Sequence, residues 1–299
     1  MAGRQQAAWQ LVLICWGQKY GVDDINGLVR SVRLHSTGLV RVILITDRAR
    51  PGLEAGIETR DHPAEFLRPG MTAGGCQAKL AMFMRGLLPD DMPAVFIDLD
   101  TVVTGDLSAL VTARRSEKEI AILQSAVWPF GALGRWIWRQ SKGRRYARGN
   151  SSVVVFHPAH CAFVAERFQE LLAQHPDMNF RPMAADERFI SWVAQPHMRA
   201  VSSGLVVKFP TEFMFPWLWF GRLRGALPWV RRRRAGLIAI TLPGVEVKPE
   251  VLLTLPEGTI VTDRKGRRME WSDRYLGPVR ARLVAAIRAA EAGQGANHS

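Results

Sequence analysis

The chain has 299 residues, 47% hydrophobic and 22% charged, with 40 Lys and Arg against 27 Asp and Glu and a formal net charge of +13. These proportions exclude a largely disordered chain, and three scattered cysteines, Cys15, Cys76 and Cys161, exclude a disulfide scaffold or a CxxC metal site. The positive balance favours phosphates or an acidic membrane surface; no helix-turn-helix, zinc or RNP pattern accompanies it, so nucleic acid is not an expected partner.

Leu11–Trp16 (LVLICW) is a continuous apolar run, the pattern of a strand buried on both faces, and Gly17 and Gly21 allow a turn after it. No small-residue cleavage site follows it, and no stretch reaches the roughly 18 apolar residues of a membrane span. With free thiols, this points to the cytoplasm. Asp23 and Asp24 open a helix with Ile25, Leu28, Val29 and Val32 on one face, where first-turn carboxylates suit the helix dipole. Val40–Thr46 is the next strand, ended by Asp47, completing a βαβ unit.

Gly56–Arg60 reads as a short strand, Ala64–Gly75 as a loop, and Gln77–Leu88 as a helix striped by Leu80, Phe83, Met84 and Leu87. Pro93–Asp98, Glu119–Gln124 and Ser151–Phe156 are further buried strands, with helices over Pro158–Gln174 and Ala184–Gln195. The alternation predicts an α/β fold. From about residue 213 the composition shifts: Trp217, Trp219 and Trp229 interleave with Arg222, Arg224 and Arg231–Arg234. A strand over Leu237–Leu242, a hairpin around Arg264-Lys265-Gly266 and a basic amphipathic helix over Tyr275–Ala292 complete the chain.

The chemistry centres on Phe96-Ile97-Asp98-Leu99-Asp100-Thr101-Val102-Val103. On extended backbone, residues two apart point the same way. Asp98 and Asp100 would therefore converge at a strand's carboxyl end, where open α/β sheets bind ligands. Two converging carboxylates need a counter-charge, and a hard divalent cation, Mn2+ or Mg2+, bridging to a diphosphate supplies it. DxD alone is common in solvated turns; the apolar strand before it and Val102-Val103 after it favour the metal. Asp106, beyond Gly105, is expected to cap the turn at Asp106–Leu110. The histidines show no HxH or HxxxH spacing.

Several segments, taken in order, resemble the GT-A glycosyltransferases related to family 8 and similar bacterial enzymes. They are Cys15–Gly21 (CWGQKYG), Ile45-Thr46-Asp47, Gln77–Phe83 (QAKLAMF), Ile97-Asp98-Leu99-Asp100, Gly149-Asn150-Ser151-Ser152-Val153, and Asp186-Glu187 before Arg188-Phe189-Ile190. The resemblance covers roughly residues 10 to 250. It implies a Rossmann-like central mixed sheet flanked by helices, and metal-dependent sugar transfer from a nucleotide-diphosphate sugar, a UDP-sugar favoured, to a glycan or lipid-linked acceptor. Residues 1–255 would form the GT-A domain, with 213–234 an insertion over the acceptor side and 256–299 an appended hairpin and helix.

The resemblance places Trp16, Gly17, Tyr20 and Asp47 around the nucleotide. Lys79 and Lys248 fall on the diphosphate, and Asp98 and Asp100 on the metal, Asp98 also touching the donor. Asn150, Ser151 and Glu187 border the sugar, and Asp186 and Asn150 lie at the reacting centre. One departure concerns the late F-H-G-x-x-K-P segment whose histidine closes the metal site in such enzymes. Here it reads Thr241-Leu242-Pro243-Gly244-Val245-Glu246-Val247-Lys248-Pro249, with Pro243 in the histidine's place. That loss leaves an alternative, a catalytically degenerate domain that binds a nucleotide, partner or membrane; retention of both aspartates opposes it. The Trp/Arg segment reads either as an interfacial patch at the inner face of the membrane or as a helical hairpin with a solvated arginine face.

Overall fold

The computed structural model describes residues 7–72, 74–124 and 130–295. The strands are β1 (Trp9–Cys15), β2 (Leu39–Thr46), β3 (Ile57–Asp61), β4 (Ala94–Ile97), β5 (Thr101–Val103) and β6 (Ile120–Gln124). They continue with β7 (Gly149–Phe156), β8 (Met198–Val201), β9 (Val206–Lys208), β10 (Ala239–Thr241), β11 (Ile260–Thr262) and β12 (Arg268–Glu270). The chain divides into two compact units. The first comprises residues 1–22, 38–98 and 108–201, the second residues 23–37, 99–107 and 202–299.

The first unit carries a seven-stranded sheet in the order β3-β2-β1-β4-β7-β6-β8. β1 pairs in parallel with β2 and β4, and β7 runs antiparallel to both β4 and β6. The α/β class is the one expected from the alternation of patterns, and the mixed sheet is the one the family resemblance implied. The apolar runs are central strands: every residue of β1, β4 and β7 is buried. Gln10 survives inside β1 because its amide nitrogen donates to the carbonyls of Pro89 and Met92, at 2.8 and 3.2 Å. Phe168 stacks on Phe66 at 5.8 Å and meets Phe189 edge-on at 4.9 Å, seating the flanking helices on the core.

Several predicted elements change shape. Over 77–88 the chain forms a 3-10 helix, Gln77–Phe83, entered through Cys76 in the left-handed region at φ 51° and followed by an extended Met84. The predicted helix over 158–174 divides into Pro158–Cys161 and Phe163–Gln174, and that over 184–195 is an α-helix only over Asp186–Val193. The predicted loop at 64–75 holds short helices at Ala64–Phe66 and Pro69–Thr72.

The second unit contains the helix Val22–His35, a three-stranded sheet in the order β5-β10-β9, and the hairpin β11-β12 around Gly266. Its core joins Phe209, Phe213, Ile240, Trp271, Tyr275 and Leu283. The Trp/Arg segment is two helices, Leu218–Ala226 and Pro228–Ala235. The first approaches Tyr275 so closely that a Cβ at Gly221 would lie 1.8 Å from its hydroxyl, and one at Gly225 2.4 Å from its carbonyl. The arginine run is not one solvated face. Val230 and Arg234, four apart, share the buried side of their helix. Arg234 donates to Glu212 at 2.9 Å and to the Tyr275 carbonyl at 3.0 Å; Arg224 and Arg233 also bind Glu212. Trp217, Trp219 and Trp229 are each more than half exposed. Among the described residues, no helix is long and apolar enough to cross a membrane.

Candidate active site

In the first unit, six of the residues singled out from the sequence meet in one network. Asp98 follows β4 directly, and its N–H donates to the Ser152 carbonyl at 2.9 Å, fixing the strand's carboxyl end against β7. Lys79, from the 3-10 helix, places Nζ 2.5 Å from Asp98 Oδ1. Asp186 opens the helix Asp186–Val193; its N–H donates to the Gly75 carbonyl at 2.9 Å, and its carboxylate accepts from Ser151 Oγ at 2.6 Å. Asn150 Nδ2 donates to Glu187 at 2.9 Å, and Asn150 Oδ1 accepts from the Ser152 N–H at 3.3 Å.

Supporting contacts hold this network. Gly149 N–H donates to Ser191 Oγ at 2.9 Å, and the Gln195 amide donates to the Ala147 carbonyl at 2.7 Å. Gln77 Nε2 donates to the Met183 carbonyl at 2.8 Å. A Cβ at Gly75 would lie 2.6 Å from the Ala184 carbonyl, so this approach requires glycine. Sequence reasoning missed Gly75, Gln77, Ser191 and Gln195, whose partners are backbone groups and helix positions far along the chain.

Burial sets the electrostatics. It pushes the Asp186 carboxyl up to about 6, although Lys79 and the Ser151 hydroxyl pull the other way. Burial also opposes the Lys79 ammonium, but Asp98 and Asp186 outweigh it and raise its pKa above the ordinary lysine value. Lys79 is therefore a fixed cation serving two carboxylates. Burial likewise raises the neighbouring Cys76 thiol.

A second cluster surrounds the loop after β1. The Asp47 carboxylate accepts from the Gly17 N–H at 3.1 Å, from Arg48 at 2.7 Å and from Arg50 at 3.3 Å. The Arg48 hydrogen bond, helped by the Gly17 N–H, holds it down to about 2. Arg50, another residue missed in the sequence, also donates to the carbonyls of Cys15, Gly17 and Tyr20, at 3.3, 3.1 and 3.2 Å. Arg50 and Asp47 together fix the loop's backbone. Trp16 Nε1 donates to the Thr72 carbonyl at 3.2 Å, and Lys19 lies over the Tyr20 ring, 4.9 Å from its centroid.

Asp100 and Lys248 belong to the second unit. The Asp100 carbonyl accepts from the Leu242 N–H at 2.7 Å, which sets the residue before Pro243 beside it. Its Oδ2 lies 3.7 Å from Lys248 Nζ. Asp106 accepts from the Thr37 N–H at 3.1 Å and from its hydroxyl at 2.7 Å. Among the described residues, no three His, Cys, Asp or Glu side chains gather as a cation site. The carboxylate oxygens of Asp98 and of Asp100 each have the hard chemistry that suits a divalent cation.

No protein-family model and no curated protein matches the sequence. Solved structures do match. The chain is similar to a galactosyltransferase, LgtC, solved in complex with donor and acceptor sugar analogues: TM-score 0.56, 13% identity, over 94% of this chain and 95% of that one. The bifunctional glycosyltransferase WbbM gives 0.50 at 13% identity, over 96% of this chain and 53% of that one. The glycosyltransferase GlyE of Streptococcus pneumoniae TIGR4 gives 0.50 at 14%, over 81% of this chain and 56% of that one. The arrangement of strands and helices in this chain is the GT-A glycosyltransferase fold.

Proposed function

We propose that this protein is a glycosyltransferase that moves a hexosyl group from a nucleotide-diphosphate sugar, a UDP-sugar favoured, onto a glycan or lipid-linked glycan. The observation that carries it is the Lys79–Asp98 pair at the end of a central strand, beside the linked Ser151–Asp186 and Asn150–Glu187 pairs. Lys79 is a buried cation suited to a diphosphate, and Lys248 is a second. Asn150 and Glu187 offer the donors and acceptors that sugar hydroxyls need. Asp186, held by Ser151, would face the anomeric carbon, where positive charge builds as the glycosidic bond breaks, as it does in glycoside hydrolysis. Trp16, Gly17 and Tyr20, on the loop fixed by Arg50, would hold the base.

Asp98 and Asp100 would hold Mn2+ or Mg2+, which when bound neutralises charge on the departing diphosphate. The exposed tryptophans and the exposed Arg231 and Arg232 of the second unit support peripheral contact with the inner face of the membrane. The competing proposal, a degenerate domain that binds without catalysis, draws on Pro243 and on the lysine beside each aspartate.

A panel of UDP-, GDP- and other nucleotide sugars, incubated with the protein and Mn2+, tests the proposal by release of free nucleotide. One donor, expected to be a UDP-sugar, will be cleaved slowly, and Asp98→Asn will lower that rate at least roughly a hundredfold. A folded protein that cleaves none of them, with or without a glycan acceptor, is not an active transferase of these donors.

A further inference from the structure

Positive charge in the first unit is unevenly compensated. Arg41 faces Asp91, Arg60 faces Glu58, Arg85 faces Glu166, Arg167 faces Glu170 and Arg199 faces Glu119. The side chains of Arg148, Arg181 and Arg188 have no ion-pair or hydrogen-bond partner among the described residues. They stand on three segments held together: Arg148 just before β7, Arg181 at the start of the 3-10 helix Arg181–Ala184, and Arg188 on the helix Asp186–Val193. Gln195 binds the Ala147 backbone on one side of Arg148, and Ser191 binds the Gly149 N–H on the other. Arg188 lies on the same helix three residues before Ser191, and hence on the same side of it.

Tyr146 belongs to the same group. Its hydroxyl is buried and has no hydrogen-bond partner among the described residues. Burial pushes that hydroxyl's pKa up, and Arg148, Arg188 and Arg181 pull it back, which places all three within electrostatic reach. Clustered like charges and an unsatisfied buried hydroxyl are both unfavourable. An oxyanion relieves both, accepting from the Tyr146 O–H and from guanidinium N–H groups, whose planar fork matches carboxylate and phosphate. The cluster adjoins the sugar-side residues: Asn150 comes two residues after Arg148, Glu187 immediately precedes Arg188, and the two are hydrogen-bonded.

We infer that Tyr146, Arg148, Arg181 and Arg188 form a subsite for an anionic substituent, a phosphate or a carboxylate, on the acceptor sugar. The inference rests on the glycosyl-transfer function proposed above and narrows its acceptor to acidic glycans.

The test is calorimetric titration of glucose, glucuronic acid and glucose 6-phosphate into the full chain, with and without saturating UDP. Both acidic sugars are expected to bind at least about tenfold more tightly than glucose, as charge-assisted hydrogen bonds require. The stronger of the two tells carboxylate from phosphate. Arg148→Gln combined with Arg188→Gln should reduce the preference below about threefold. Tyr146→Phe, which removes one oxygen only, should weaken both acidic sugars and leave glucose unchanged. Equal affinity for acidic and neutral sugars overturns the subsite, as does a preference that survives the arginine replacements. Binding of phosphatidylglycerol vesicles that disappears in the same variants, without discrimination among sugars, also overturns it and assigns the arginines to a membrane. UDP binding without anion preference removes only the subsite, whereas anion preference without binding of any nucleotide removes the transferase function.

Discussion

Replacing Lys79 by methionine will destabilise the protein by about 3–5 kcal/mol, the usual cost of stripping one partner from a buried ion pair. The side chain is 13% exposed, its ammonium touches Asp98, and it also offsets the charge of buried Asp186. Without it, two carboxylates remain with no described cation beside them. The deficit must depend on pH. An unperturbed aspartate titrates near about 3.9, whereas folded Asp186 titrates at about 6. A raised carboxyl pKa means that the protonated form's stability contribution is complete below the unfolded value and is lost as pH rises through the folded value. In the parent that loss runs from about pH 4 to about pH 6. Lys79 pulls the Asp186 pKa down, so in Lys79→Met the loss extends to higher pH. Urea unfolding at pH 5 and pH 8 should show the larger deficit at pH 8; equal deficits would mean that Lys79 does not compensate Asp186.

Glu212→Leu will be comparably costly in the second unit. Glu212 is buried and accepts from Arg224, Arg233 and Arg234, the last fully buried. Its own carboxyl is held below the ordinary range by hydrogen bonds from Arg233 and Arg234, in spite of burial. Leucine preserves volume but, among the described residues, leaves Arg234 hydrogen-bonded only to the carbonyls of Tyr275 and residue 212. The expected loss is about 3–5 kcal/mol, or roughly 10 °C in Tm. Arg232→Ala, at an exposed position of the same run, should change Tm by less than about 2 °C. Equal effects would make the run a uniform solvated face.

The contrast between Arg232 and Arg234 shows where sequence reading reaches and where it stops. Continuous apolar runs announced β1, β4 and β7, because a strand buried on both faces has no polar side to alternate. A run of four arginines gives no such signal: whether one is buried depends on a carboxylate more than 20 residues away. β5 is a three-residue strand paired with β10 across more than 130 residues, too short to register as a period-two pattern, whereas β10 lies inside the strand expected over Leu237–Leu242. In the candidate site, Lys79, Asp98, Asn150, Ser151, Asp186 and Glu187 were named because they carry charge or stand in short motifs. Their supports were not. Gly75 and Gln77 act through backbone carbonyls of residues 183 and 184, and Arg50 through three carbonyls of one loop. Such roles are invisible until the fold joins the segments.

Calorimetric titration of UDP into the full chain, with and without Mn2+ and again on Asp100→Asn, bears most directly on the proposed transferase. Metal-dependent binding that weakens at least about tenfold in Asp100→Asn is the expected outcome, because the aspartate would lose its charge on the cation. Absence of UDP binding with or without Mn2+, in a protein that melts cooperatively and also ignores GDP, would show that this GT-A fold holds neither donor nucleotide.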